Sequence, residues 1–241
     1  MPGPAHDSPL VLFDIDGTLI RRAGSHHRDA LAYGIRRVTA LETTTDGIPV
    51  QGMLDPVILA AMLRRAGLAP AKIRASLPAI QRAAARYYRR VCPPIRDRLC
   101  PGVRPALDKL RRRGALLALV TGNLAPIAWH KLDRAGLGEY FSFGAFGDMA
   151  PSRAGLVRLA IAEAHRRGWI GPPALVSMIG DAPADIFAAR RNRIRSIAVA
   201  TGLTPLDQLR SLHPDFLVPS LSRLRLYMLS PRRPQIRARK I

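Results

Sequence analysis

Short apolar runs that stop at polar or glycine residues recur along the chain, at 10–13 (LVLF), 116–120 (LLALV), 141–146 (FSFGAF), 174–179 (ALVSMI), 196–200 (SIAVA) and 215–218 (DFLV). Runs of this length without alternation predict strands buried on both faces. Helical periodicity lies between the later ones, at about 125–136, 152–168, 183–193 and 204–212. Strands that alternate with helices predict an α/β fold, a Rossmann-like parallel sheet with helices on both faces.

One interval breaks the alternation. From about 22 to 99 the sequence offers helical patterns only: HHRDALAYGIRRVTAL, DPVILAAMLRRAG and SLPAIQRAAARYYRR. Asp55 and Pro56 read as N-cap and first residue of the middle helix, with Gly67 as its stop. The interval therefore predicts an α-helical insert after the first strand, residues 21–99, with 1–20 and 100–241 forming the sheet domain. CPPIRDRLCPG is its return linker.

In a parallel sheet, ligands bind beyond the carboxyl ends of the strands. The first run there delivers Asp14 and Asp16, the second Thr121, Gly122 and Asn123, and the fourth Gly180, Asp181 and then Asp185. Gathered carboxylates repel one another unless a cation sits among them, and a hard cation such as Mg²⁺ prefers oxygen ligands. A carboxylate beside such a cation can also act as a nucleophile. An aspartate after a strand is often only a helix cap, and Asp181 or Asp185 could serve so. A turn needs one aspartate, however, and the first run supplies two.

FDIDGTL, then VTGN, then GDAPAD, each behind an apolar run and in that order, resembles the haloacid dehalogenase-like hydrolase superfamily. The helical insert is similar to the C1-type cap of its phosphoglycolate phosphatase and β-phosphoglucomutase branch. The resemblance covers about residues 10–220. It implies a Mg²⁺-dependent phosphomonoesterase acting on a small phosphorylated metabolite. Asp14 would be the nucleophile that becomes an aspartyl-phosphate. Asp16 would serve as acid and base, with its backbone carbonyl on the metal. Thr121 would bind the phosphoryl group, and Asp181 and Asp185 would ligate or orient the metal. The third motif departs from the usual lysine. Arg153, in GDMAPSRAGLVRLA, is placed to replace it, with Arg158 as the fallback. Gly122, Asn123 and the insert's Gly52 and Asp55 are the expected substrate-binding positions, and Asp55 also reads as a helix cap. Arg21 replaces the acid that many relatives carry after the first motif. His26 and His27 read as surface or packing residues of the insert. A phosphoglucomutase-like transferase is the alternative enzyme. A 2-haloacid dehalogenase is disfavoured by Asp16, because a departing halide needs no proton.

Composition alters this picture at one point. The 241 residues are 48% hydrophobic, enough for a core, and no apolar run approaches the roughly 20 residues that span a bilayer. The N-terminus lacks the basic and apolar regions of a signal peptide, so the expectation is a cytoplasmic protein with Cys92 and Cys100 as reduced thiols. The net charge of +21 suggests nucleic acid or another polyanion as a partner. Only four of the 38 basic residues are lysine (72, 109, 131 and 240), and they sit beside abundant alanine, as a GC-rich coding sequence would give. Aromatics for base stacking are scarce at 5%. A polyanion is thus the less favoured partner, and the basic tail from Arg223 onward is its most concentrated candidate.

Overall fold

The computed structural model describes residues 9–21, 24–171 and 175–229. Six parallel strands form one sheet in the order β3-β2-β1-β4-β5-β6. They are β1 (Leu10–Phe13), β2 (Leu116–Val120), β3 (Phe143–Ala145), β4 (Val176–Gly180), β5 (Arg195–Val199) and β6 (Phe216–Val218). The chain builds outward from β1 through β2 to β3, then returns to lay β4 on the other side of β1. The strand order therefore reverses between β1 and β4, the switch point where such sheets bind ligands. Register aligns Phe13 with Leu119 on one side and with Ile179 on the other. Asp14, Thr121 and Asp181 consequently leave the sheet at the same edge.

The absence of alternation in the strands is explained by two cores. Val11 and Phe13 pack on one face with Leu117, Leu119 and Ile179. Leu10 and Leu12 pack on the other with Ala118, Val120 and Met178. A fully buried side chain of this size contributes about 1.5–3 kcal/mol, so β1, buried at all four positions, is the sheet's anchor.

Between β1 and β2 lie α1 (His26–Thr39), α2 (Asp55–Arg65) and α3 (Pro70–Val91), the inserted cap. They enclose a small core of their own, including Leu31, Ile35, Leu59, Leu63 and Ile80. Asp55 is the first residue of α2 rather than its cap, which is Leu54. Gly67 does follow the helix end, with φ +81°. One helix has no counterpart among the expected elements: α4 (Val103–Arg112), directly after the return linker. The sheet domain continues with α5 (Ala125–Ala135), α6 (Arg153–Arg166), α7 (Pro183–Arg191) and α8 (Leu206–Ser211). Cys92 and Cys100 are free, buried thiols, and burial pushes Cys100 up to about 11. No helix among the described residues is long and apolar enough to cross a membrane. Most of the basic tail, 230–241, lies outside the described residues.

Candidate active site

A cavity of about 460 Å³ opens between the cap and the carboxyl edge of the sheet. Asp14, Asp16, Gly52, Asp55, Thr121, Gly122, Asn123, Arg153 and Asp181 all line it. Asp185 stands just behind, and Asp14, Asp181 and Asp185 each place a carboxylate oxygen within 4.8 Å of the others. Arg158, by contrast, is exposed on the outer face of α6.

Arg153 owes its place to a helix start. The Ser152 hydroxyl accepts the Gly155 N–H at 3.2 Å and so caps α6, which sets Arg153 at the first helical position. Its buried Nη1 donates to Asp14 Oδ1 at 2.8 Å and to the Val120 carbonyl at 3.1 Å, and lies 3.4 Å from Asp185 Oδ1. Burial opposes its charge, but the carboxylates of Asp14 and Asp185 outweigh that and hold the guanidinium charged.

The three carboxylates exceed what one guanidinium neutralises. Burial, then the charges of Asp14 and Asp185, push Asp181 up to about 8. Burial likewise raises Asp185, against the pull of Arg153, to about 7. Neither Asp181 nor Asp185 is the N-cap of α7, which is Ala182; Asp185 is the helix's third residue, and its Oδ2 accepts the Ala182 N–H at 3.1 Å. Its Oδ1 is buried with no hydrogen-bond donor among the described residues. A carboxylate oxygen with only a 3.4 Å ion pair to Arg153, amid a surplus of buried negative charge, fits a bound cation.

Thr121 is fully buried, and its hydroxyl oxygen accepts from Asn123 Nδ2 at 3.0 Å, which leaves its own proton free to donate. Asn123 Nδ2 also donates to Asp16 at 2.8 Å. Gly122 is where the cap rests on the sheet domain: a Cβ there would lie 2.2 Å from the Met53 carbonyl oxygen. Its own carbonyl accepts the Asp55 N–H at 2.8 Å. Gly52 turns the cap loop with φ +70°, a left-handed conformation that favours glycine, and offers its carbonyl to Arg153 Nη2 at 3.3 Å. Asp55 does not cap its own helix; Oδ2 takes the Leu124 N–H at 2.8 Å, at the mouth of α5.

Asp16 has cationic and amide partners of its own. Both of its oxygens sit 2.6 Å from Lys131 Nζ. Burial would raise its pKa, but the Lys131 ammonium beside it brings the carboxyl down to about 2. Lys131 has no place among the expected site residues, although α5 carries its signal. Ile127, Ala128, Leu132 and Ala135 form the buried stripe of the helix, and Lys131 falls within it. His27 shares this surprise: it lines the cavity, with Nε2 3.0 Å from Asp55 Oδ2.

A sequence model of haloacid dehalogenase-like hydrolases matches residues 9–192. The phosphoglycolate phosphatase of Agrobacterium fabrum is 31% identical over 221 residues, 90% of this chain and 91% of its own. The phosphoglycolate phosphatase of Synechococcus elongatus is 29% identical over 89% of this chain and 94% of its own. Among solved structures, CbbY from Rhodobacter sphaeroides, in complex with xylulose-1,5-bisphosphate, superposes with a TM-score of 0.69 at 22% identity, covering 92% of this chain and 99% of that one. β-Phosphoglucomutase from Clostridium difficile gives 0.65 at 16%, covering 91% and 94%. At those identities the structures speak for the fold alone. The family match extends over most of the chain, through both aspartate-bearing strand ends, and the chain belongs to the haloacid dehalogenase-like hydrolases as a phosphatase.

Proposed function

We propose that the protein is a Mg²⁺-dependent phosphomonoesterase that hydrolyses a small organic phosphate, phosphoglycolate-like or a sugar phosphate, through an aspartyl-phosphate on Asp14. The observation that carries this reading is the placement of Asp14: 2.8 Å from a buried guanidinium and within 4.8 Å of two further buried carboxylates. Phosphoryl transfer is mainly positioning and charge neutralisation. Asp14, Asp181, Asp185 and the Asp16 carbonyl would hold Mg²⁺, which when bound would neutralise phosphoryl charge.

The chain's own groups divide the remaining work. One Asp14 oxygen attacks phosphorus while Arg153 holds the other in line. The Thr121 hydroxyl donates to a phosphoryl oxygen. The charge of a bound phosphate favours a proton on Asp16, and Asp16 passes that proton to the departing oxygen. As a carboxylate it then takes a proton from the water that hydrolyses the acyl phosphate. Gly52, Gly122, Asn123 and Asp55 border the space left for the organic part of the substrate.

The test is phosphate release from phosphoglycolate, sugar phosphates and nucleoside monophosphates, with Mg²⁺ or EDTA, by the wild type and Asp14→Asn. Turnover that requires both Mg²⁺ and Asp14 supports the proposal and ranks the substrates. Turnover that survives in Asp14→Asn overturns it.

A further inference from the structure

In the cap, α1 and α3 pack closely side by side. A Cβ on Gly34 would lie 2.7 Å from the Ile80 carbonyl oxygen and 3.0 Å from the Ala84 Cβ. That approach joins two helices with very little negative charge. α1 carries Arg28, Arg36 and Arg37, and α3 carries Lys72, Arg74, Arg82, Arg86, Arg89 and Arg90, against Asp29 alone. Arg82, Arg86 and Arg90 are exposed and recur every four residues, so they form a row along one face at intervals of about 6 Å. None of the three has a carboxylate partner among the described residues. Like charges at this spacing destabilise a helix, so the row costs the free cap stability.

Where α1 meets the row, Tyr33 stacks on Tyr87, with ring centroids 4.2 Å apart and an interplanar angle of 18°. Both tyrosines are half-buried. The Arg90 guanidinium lies 5.9 Å from the Tyr33 centroid and 5.7 Å from that of Tyr87. Arg36 lies 5.8 Å from the Tyr33 centroid, and its exposed pairing with Glu42 is 3.6 Å long. The rings therefore restrain two guanidiniums whose N–H groups remain in water. None of these residues lines the cavity.

We propose that this face of the cap binds single-stranded nucleic acid, separately from the phosphatase cavity. The arginine row follows the phosphate backbone, and each planar guanidinium can offer two donors to one phosphate. The half-exposed tyrosine pair gives unstacked bases an apolar surface beside that row, which a duplex with its bases inside cannot use. Aromatic residues are scarce in the chain as a whole, but two of its five tyrosines stand among these arginines. Phosphate contacts carry no sequence information, so binding is independent of sequence.

The experiment measures fluorescence anisotropy of a labelled oligothymidylate of about 20 nucleotides between about 50 and 200 mM salt. The oligonucleotide carries no terminal phosphate, which keeps it out of the phosphatase reaction. Arg82→Ala, Arg86→Ala and Arg90→Ala are combined in one variant. A control removes the same charge elsewhere, through Arg112→Ala, Arg113→Ala and Arg158→Ala at the end of α4 and on α6, all exposed. Each phosphate contact on a single strand adds about 0.7 to the slope of log K against log salt, so the cap variant should lose about 2 from that slope and bind at least about tenfold more weakly. The control should lose less than about threefold. Tyr33→Leu with Tyr87→Leu should weaken the oligothymidylate and leave a duplex of equal length unchanged. Equal losses in the cap variant and the control would overturn the proposal, since net charge alone would then explain binding. So would a wild type that ignores the oligothymidylate at 50 mM salt, or one that prefers the duplex or inorganic polyphosphate. Should the triple cap variant fail to fold, Arg86→Ala alone decides, with a slope lower by about 0.7 expected and an unchanged slope overturning the proposal.

Discussion

Asp14 and Asp16 are two residues apart, yet they stand in opposite electrostatic worlds. On the Asp14 side, three buried carboxylates share one guanidinium, and two of them are pushed up to about 7 and 8. On the Asp16 side, Lys131 and the Asn123 amide N–H donate to Asp16, His27 lies between Lys131 and Asp55, and Asp16 is drawn down to about 2. One side is built to accept an added cation. The other already holds its cation, the Lys131 ammonium. Nucleophile and acid–base group can thus sit on one phosphoryl group while being tuned separately.

The largest expected effect breaks the first side at its centre. Asp14→Asn should lower turnover by more than about 10³-fold, as loss of a nucleophile does, while leaving the thermal midpoint unchanged or raised, because a repulsive charge is gone. Activity assays and thermal melts on the same samples check both halves.

Arg153→Ala should come next. Removing one partner of a buried ion pair costs about 3–5 kcal/mol, and here it would strand three carboxylates. Urea denaturation should show the loss, and Mg²⁺ should restore part of it. A midpoint equal to the wild type's would mean that the three acids do not share their charge with Arg153.

pH separates the two sides further. Asp181 and Asp185 have folded pKa values above the usual carboxylate range, so the metal-free folded state binds more protons than the unfolded state between about pH 4 and 8. Their contribution to stability is full below about pH 4 and is lost as pH rises through 7 and 8. Asp16 runs the other way: its contribution is present above about pH 4 and lost as pH falls toward 2. Thermal melts of EDTA-treated protein should therefore fall between pH 5 and 8, and Mg²⁺ should raise the midpoint more at pH 8 than at pH 5. Asp181→Asn should flatten that slope.

The smallest expected effect concerns the join between cap and sheet domain. Gln51 Nε2 donates to Thr204 Oγ1 at 2.6 Å, a half-buried bond from the cap loop to the far side of the cavity. Such a bond contributes about 0.5–1.5 kcal/mol. Gln51→Ala should raise KM several-fold with little change in the melt.

The sheet and the Asp14 side were legible in the sequence because both are local signals. An uninterrupted apolar run followed by aspartate reports a buried strand and what stands at its end. Arg153 was legible as well, through the third motif that its segment resembles. The Asp16 side was not, because its partners come from α1, α2 and α5, far apart in the chain. The usable hint was a polar residue in a buried helical stripe: Lys131 within 127–135, and His27 one turn before Ala30 and Leu31. Asp55 misled because Asp-Pro is a common helix start, whereas its carboxylate serves another helix. α4 did carry a pattern, with Val103, Ala106, Leu107 and Leu110 buried at helical spacing, but four basic residues and Pro105 surround them.

The most direct measurement of the central claim is a rapid acid quench during turnover of p-nitrophenyl phosphate with Mg²⁺, followed by mass analysis of the Asp14 peptide. The account predicts one phosphoryl group on Asp14 in the wild type and more of it in Asp16→Asn, where the water that would remove it lacks its base. No phosphoryl group on Asp14 in either protein while p-nitrophenol is released, or a phosphoryl group on a different residue, would contradict it.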